Sequence, residues 1–200
     1  MKPEIRTTIL DIFMKNSGYA RTKEILDQGI HNIYLKELEK EGIIQKVKHG
    51  LYSLTDHENY NSMHEALLAV SNAIICMGSA LAYYDLTTWN PTEVHLAIRH
   101  GRKIVLPVYP PIQLYHFSGK FFETGQTTIA LESGHRIRIY DKEKTICDIV
   151  RYRNRIGIDI MKEALNEYVK QKDINLNKLY TYAGDLNIRS VLDTYLEVLI

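Results

Sequence analysis

Gly29-Ile30-His31-Asn32-Ile33-Tyr34-Leu35-Lys36-Glu37-Leu38-Glu39-Lys40-Glu41-Gly42 runs directly into Ile43-Ile44-Gln45-Lys46-Val47-Lys48-His49-Gly50-Leu51-Tyr52-Ser53-Leu54, and the fold turns on these two runs. Gly29 makes a turn and Gly42 a C-terminal stop, so the first run predicts a helix from about His31 to Glu41. Leu35 and Leu38 form its buried stripe, and Ile30 is placed to staple onto Leu35. The other face carries Asn32, Ile33, Lys36 and Lys40, with Tyr34 at its margin. That face has the size and polarity of a helix that enters a major groove. The second run predicts two short strands around a turn at Lys48-His49-Gly50. Lys46 and Lys48 are two apart and are expected on one face, and residues 42–55 contain no acid. A basic-tipped hairpin after a helix-turn-helix is a wing, suited to the phosphate backbone.

Upstream, Pro3 suits a first helical turn, and Ile5, Ile9, Ile12 and Phe13 recur with helical spacing until Asn16-Ser17-Gly18. Thr22 is the expected N-cap of a second helix, Lys23 to Gln28. Residues 1–54 therefore read as a winged helix-turn-helix domain, 55–61 as a polar linker, and 62–200 as a second domain. In this reading His31, Asn32, Ile33, Tyr34, Lys36 and Lys40 read DNA, and Lys46, Lys48 and His49 hold the wing on phosphate. Arg21, Thr22 and Lys23 add backbone contacts.

After Ser62, helices are expected at 62–73, 79–86, 141–153, 158–171, 175–184 and 188–199. Strands are expected at Glu93–Arg99, Lys103–Pro107, Ile112–Phe117, Thr127–Leu131 and Arg136–Tyr140. The fold class is α+β, an N-terminal winged helix-turn-helix followed by a mixed α/β domain.

Several stretches resemble the AbiEi antitoxin family. They are Gly29 to Leu38, Glu41-Gly42-Ile43-Ile44, and the wing Lys46-Val47-Lys48-His49-Gly50-Leu51-Tyr52, where Lys48 takes the arginine place of an R-x-G-x-Y pattern. Gly78-Ser79-Ala80-Leu81-Ala82-Tyr83-Tyr84 resembles a helix start after the linker. Ile139-Tyr140-Asp141-Lys142-Glu143-Lys144-Thr145-Ile146-Cys147-Asp148 resembles the family's E-K/R-T-x-x-D helix. The resemblance implies the antitoxin of an abortive-infection, phage-defence toxin–antitoxin system. Its partners would be double-stranded DNA, at inverted repeats in its own promoter, and a nucleotidyltransferase-like toxin countered without a stable complex. A protein-interaction module that binds a toxin directly, or a general winged-helix regulator, are the alternatives.

The 200 residues, 45% hydrophobic and 24% charged with 14 tyrosines, are ample for a core. Cys76 and Cys147 lie in apolar runs and are expected as buried thiols in a cytoplasmic protein. No secretory h-region and no run long enough for a membrane span occur. Net charge is +1, with +2 in residues 1–54, which is small for stand-alone DNA binding. Arg99, Arg102 and Lys103, Arg136 and Arg138, and Arg151, Arg153 and Arg155 are three candidates for a second DNA surface, and unrelated solvated loops and helix ends are the alternative. For this last group, simple complementation of a helix end is the competing reading.

No enzyme, metal or cofactor is expected. Gly78-Ser79 resembles the opening of a nucleotidyltransferase site, but only Asp85 follows, where paired carboxylates are needed. Ser79 is instead expected as a helix cap. His49, His57 and His64 lack metal-ligand spacing, and none of the 11 glycines forms Gly-x-Gly.

Overall fold

The computed structural model describes residues 1–56, 60–131 and 134–197. His57 and the end of the last expected helix lie outside them.

The N-terminal unit runs α1 (Pro3–Lys15), β1 (Tyr19–Arg21), α2 (Thr22–Asp27), α3 (Ile33–Lys40), β2 (Ile44–Lys48) and β3 (Leu51–Leu54). Ile9 and Phe13 of α1 meet Ile25, Ile30, Leu35, Leu38 and Ile44 in one core, as the helical spacing requires. β1, three residues long, was not foreseen; it pairs antiparallel with β3 and completes a sheet of order β1-β3-β2. Thr22 is the first residue of α2 rather than its cap. The cap is Arg21, whose backbone N–H donates to Glu24 Oε2 at 2.6 Å.

The C-terminal part holds a five-stranded mixed sheet of order β6-β5-β4-β8-β7. Its strands are β4 (Ile74–Ile75), β5 (Val94–Arg99), β6 (Ile112–Phe117), β7 (Gln126–Ala130) and β8 (Arg136–Tyr140). The central β4, only two residues long, pairs antiparallel with β5 and parallel with β8. Ala97, Tyr115, Phe117 and Tyr140 face a helical layer that includes α5 (Met77–Tyr83), α7 (Lys142–Arg151), α9 (Ile158–Lys170), α10 (Leu176–Asp185) and α11 (Arg189–Leu196). Two single turns complete it, α6 (Lys120–Glu123) and α8 (Arg153–Ile156).

The strand expected at 103–107 does not form. β5 and β6 are parallel neighbours, so the chain between them must cross over the surface. Pro107, Pro110 and Pro111 remove three of its backbone donors, and Val105 and Val108 are left 88% and 99% exposed.

Two parts of the chain share one apolar cluster. Tyr19, Val47 and Leu51 from the N-terminal sheet pack with Ala66, Ala69 and Val70 of α4 (Ser62–Ala69) and its end, and with Leu96, Ile98, Ile137 and Ile139 of the second sheet. The N-terminal sheet is therefore buried on both faces, against its own helices and against the rest of the molecule. Inside this joint Tyr19 Oη donates to Glu65 Oε2 at 2.9 Å, with Glu65 only 2% exposed.

Candidate nucleic-acid interface

The outward face of α3 carries Asn32, Ile33, Lys36 and Lys40, all exposed, with Ile33 at 51%. Tyr34 is half-buried against the N-terminal core. His31 is exposed, and its Nδ1 accepts the Ile33 N–H at 3.2 Å, closing the first turn where Asn32 makes no side-chain cap. The acids of α3 do not all oppose this face. Glu41 is held by Arg6 of α1 at 2.8 Å, at the end of the helix. Lys23 on α2 and His49 at the hairpin turn are also exposed.

The hairpin departs from expectation at one point. Lys46 lies opposite Tyr52, but Lys48 lies opposite Leu51, because the register shifts between them. Tyr52 and Leu51 are consecutive and face opposite ways, so Lys46 and Lys48 do too. Lys46 is exposed on the side of the N-terminal helices. Lys48 turns to the other side, where Nζ donates to the carbonyl of Ala69. Arg21 Nη2 donates to Leu68 O at 3.1 Å, and Arg102 Nη1 to Ser71 O at 2.8 Å. Three cations thus gather on the C-terminal end of α4, where unpaired carbonyls and the helix dipole favour positive charge. Burial, then the Arg21 and Arg102 charges, push the Lys48 pKa below the ordinary lysine range. Lys48 is thus turned into the joint, while Arg21 stays exposed and spends one N–H donor there.

The basic clusters of the second part regroup in space. Arg99, Arg102 and Arg138 line one cavity of about 370 Å³ with Asn72, Phe122 and Gln126. Lys103 and Arg136 are exposed nearby in sequence but are not among its walls. Arg151 lies 3.5 Å over the Phe121 ring, Arg155 lies 5.0 Å over Tyr115, and Arg153 Nη1 donates to Val150 O at 3.0 Å. These last three are occupied with aromatic faces and a helix end.

Gly78 and Ser79 are buried beside His95. Ser79 is the third residue of α5, not its cap, and is 3% exposed; its Oγ accepts the His95 N–H at 2.9 Å. The Gly78 N–H donates to His95 Nδ1 at 3.1 Å, and a Cβ on Gly78 would lie 2.4 Å from the Trp89 ring. Burial, and secondarily Arg155, push the His95 pKa down to about 4. His64 stacks on His135 with ring centroids 3.9 Å apart and meets Tyr19 edge-on, deep in the joint. Cys76 and Cys147 are buried free thiols.

The E-K-T-x-x-D run is the polar heart of the second core. Lys144, 0% exposed, places Nζ 2.5 Å from both carboxylate oxygens of Asp148 and over the Tyr140 and Phe117 rings. Glu143 accepts from Tyr168 Oη and pairs with Lys178; Asp141 accepts the Lys144 N–H and caps α7.

The N-terminal unit thus presents an exposed polar helix, with an exposed lysine on the adjoining hairpin. Residues 8–55 match the family described as transcriptional regulator, AbiEi antitoxin, consistent with the resemblance read from the sequence. The match covers the N-terminal unit. In fold, 92% of the chain is similar to 72% of the crystal structure of the RV2827C protein from Mycobacterium tuberculosis, with TM-score 0.62 at 10% identity. No curated protein matches the sequence. Among the described residues no helix is long and apolar enough to cross a membrane.

Proposed function

We propose that the N-terminal unit is a winged helix-turn-helix that lays α3 in the major groove of double-stranded DNA and represses the promoter of its own toxin–antitoxin operon at inverted repeats. The observation that carries this reading is the exposed face of Asn32, Ile33, Lys36 and Lys40 on a helix whose apolar side is fixed by Leu35 and Leu38. Lys46, Lys23 and His49 are exposed beside it and would meet phosphate. The family match supports a DNA-binding antitoxin in general terms. The finer reading is a cytoplasmic autorepressor for phage defence that counters a nucleotidyltransferase-like toxin without a stable complex. In this reading the chain acts by binding, and the burial of Ser79, whose Oγ accepts the His95 N–H, supports it. A gel-shift titration of the upstream promoter against random duplex tests the repressor; equal affinity for both overturns it.

One observation favours a second reading, in which the toxin is bound directly. Val105, Leu106, Val108 and Tyr109 are exposed on the crossover beside the hairpin, an apolar strap of the kind that marks interaction surfaces. Stoichiometric co-purification with the toxin, abolished by Val105→Asp with Val108→Asp, would establish it.

A further inference from the structure

We propose that the cavity walled by Arg99, Arg102 and Arg138 is a binding site for a phosphoryl group. The site follows from the short central strand. Continuing the β4–β5 register back from Ile74 opposite Ala97 brings Asn72 opposite Arg99. There β4 has not yet begun, and the gap lies between β5, which carries Arg99, and β8, which carries Arg138. Arg138 alternates with the inward-facing Ile137 and Ile139, so it projects with Tyr140 to the same side of the sheet as Arg99, which alternates with Ile98.

Two of the three guanidiniums are held in place. Arg99 donates to Glu123 Oε1 at 3.1 Å and lies 4.8 Å over the Phe122 ring; Arg102 donates to Ser71 O at 2.8 Å. Each has further N–H donors beyond these single anchors. Gln126, which also lines the cavity, is fixed through Nε2 to Phe122 O at 2.8 Å. Among the described residues Glu123 is the one carboxylate paired with the three arginines. A guanidinium keeps its charge at any physiological pH, so the cavity holds an uncompensated positive excess. Three guanidiniums lining one concave, mostly polar space of about 370 Å³ suit a multiply charged tetrahedral oxyanion. The phosphoryl group could belong to a free nucleotide or to a DNA backbone. The chemistry at the arginines is the same.

The test is calorimetric titration of the full chain at low salt with inorganic pyrophosphate, ATP, adenosine and a random 20-base-pair duplex. Saturable binding of pyrophosphate and ATP but not adenosine is expected, with affinity at least about tenfold lower in Arg138→Gln and in Arg102→Gln. Lys162→Gln, the same charge change on the distant α9, should bind as wild type. Circular dichroism checks that each variant is folded, and Arg102→Gln decides if Arg138→Gln is not. Duplex that displaces pyrophosphate and weakens in the same variants identifies backbone phosphate as the occupant. Independent binding of the two identifies a free phosphorylated metabolite. No saturable binding of pyrophosphate, ATP or duplex, or binding unchanged in both arginine variants, overturns the site. Promoter preference, read through α3, is a separate measurement and can fail or succeed independently.

Discussion

His95 shows how a single side chain sets a pH limit on the fold. Its Nδ1 accepts the Gly78 N–H, so it must stay neutral there, and burial holds its pKa near 4 against an ordinary 6.5. Between those values the unfolded chain takes up a proton that the folded chain refuses. Stability from this group is full above pH 6.5 and is lost as pH falls toward 4, by up to about 3 kcal/mol. Urea denaturation from pH 7 to pH 4 should show that decline. His95→Asn, which offers an acceptor without titrating, should flatten it. The Lys144–Asp148 pair makes a different demand. Both are almost fully buried, so removing one leaves the other charged and alone. Lys144→Met should cost about 3–5 kcal/mol in the same assay, and adding Asp148→Leu should recover much of it.

Among the elements, the hairpin strand β2 has the sharpest consequence. Its bulge sends Lys46 outward and Lys48 into the joint, so two neighbouring lysines have different expected phenotypes. Lys46→Ala should lower affinity for any duplex and reduce the salt slope by about 1, measured by fluorescence anisotropy. Lys48→Ala should leave the slope nearly unchanged and lower the melting temperature instead. On α3, Lys36→Ala should reduce discrimination between promoter and random duplex by about 1–3 kcal/mol. The three helices, the hairpin and the glycine stops were legible because apolar spacing and turn residues are local signals. β1 was not, since Tyr19-Ala20-Arg21 becomes a strand only by pairing with β3, 30 or more residues away. The bulge was also invisible, because a two-residue period assumes regular pairing. The 103–107 run misled for a third reason: its apolar spacing suggests a strand, but it lies on the crossover between two parallel strands and runs into Pro107, Pro110 and Pro111. The three-arginine cavity draws on two distant sequence clusters, and only the strand order β5-β4-β8 brings them together.

The molecule as a whole behaves as two sequence units with a common core. Tyr19, Val47 and Leu51 belong to the first unit by sequence and to the second by packing. Thermal unfolding should therefore be a single transition by circular dichroism and tyrosine fluorescence alike. Tyr19→Phe removes the donor to the buried Glu65 and should cost about 1–3 kcal/mol, a shift of several degrees for a chain of 200 residues. Should the N-terminal unit melt separately in the wild type, the joint is weaker than its burial implies.

The joint at α4 also settles what can be exchanged between proteins. Cutting after Leu54 would strip the hairpin's hidden side of its cover and leave Arg21 and Lys48 without the carbonyls of Leu68 and Ala69. A chimera made at that point inherits a reading head with a sticky underside and two loose cations that bind duplex without discrimination. The smallest transplantable cassette must include α4 through Val70 as its seat. A host receiving it must offer an apolar surface where Leu96, Ile98 and Ile139 now stand.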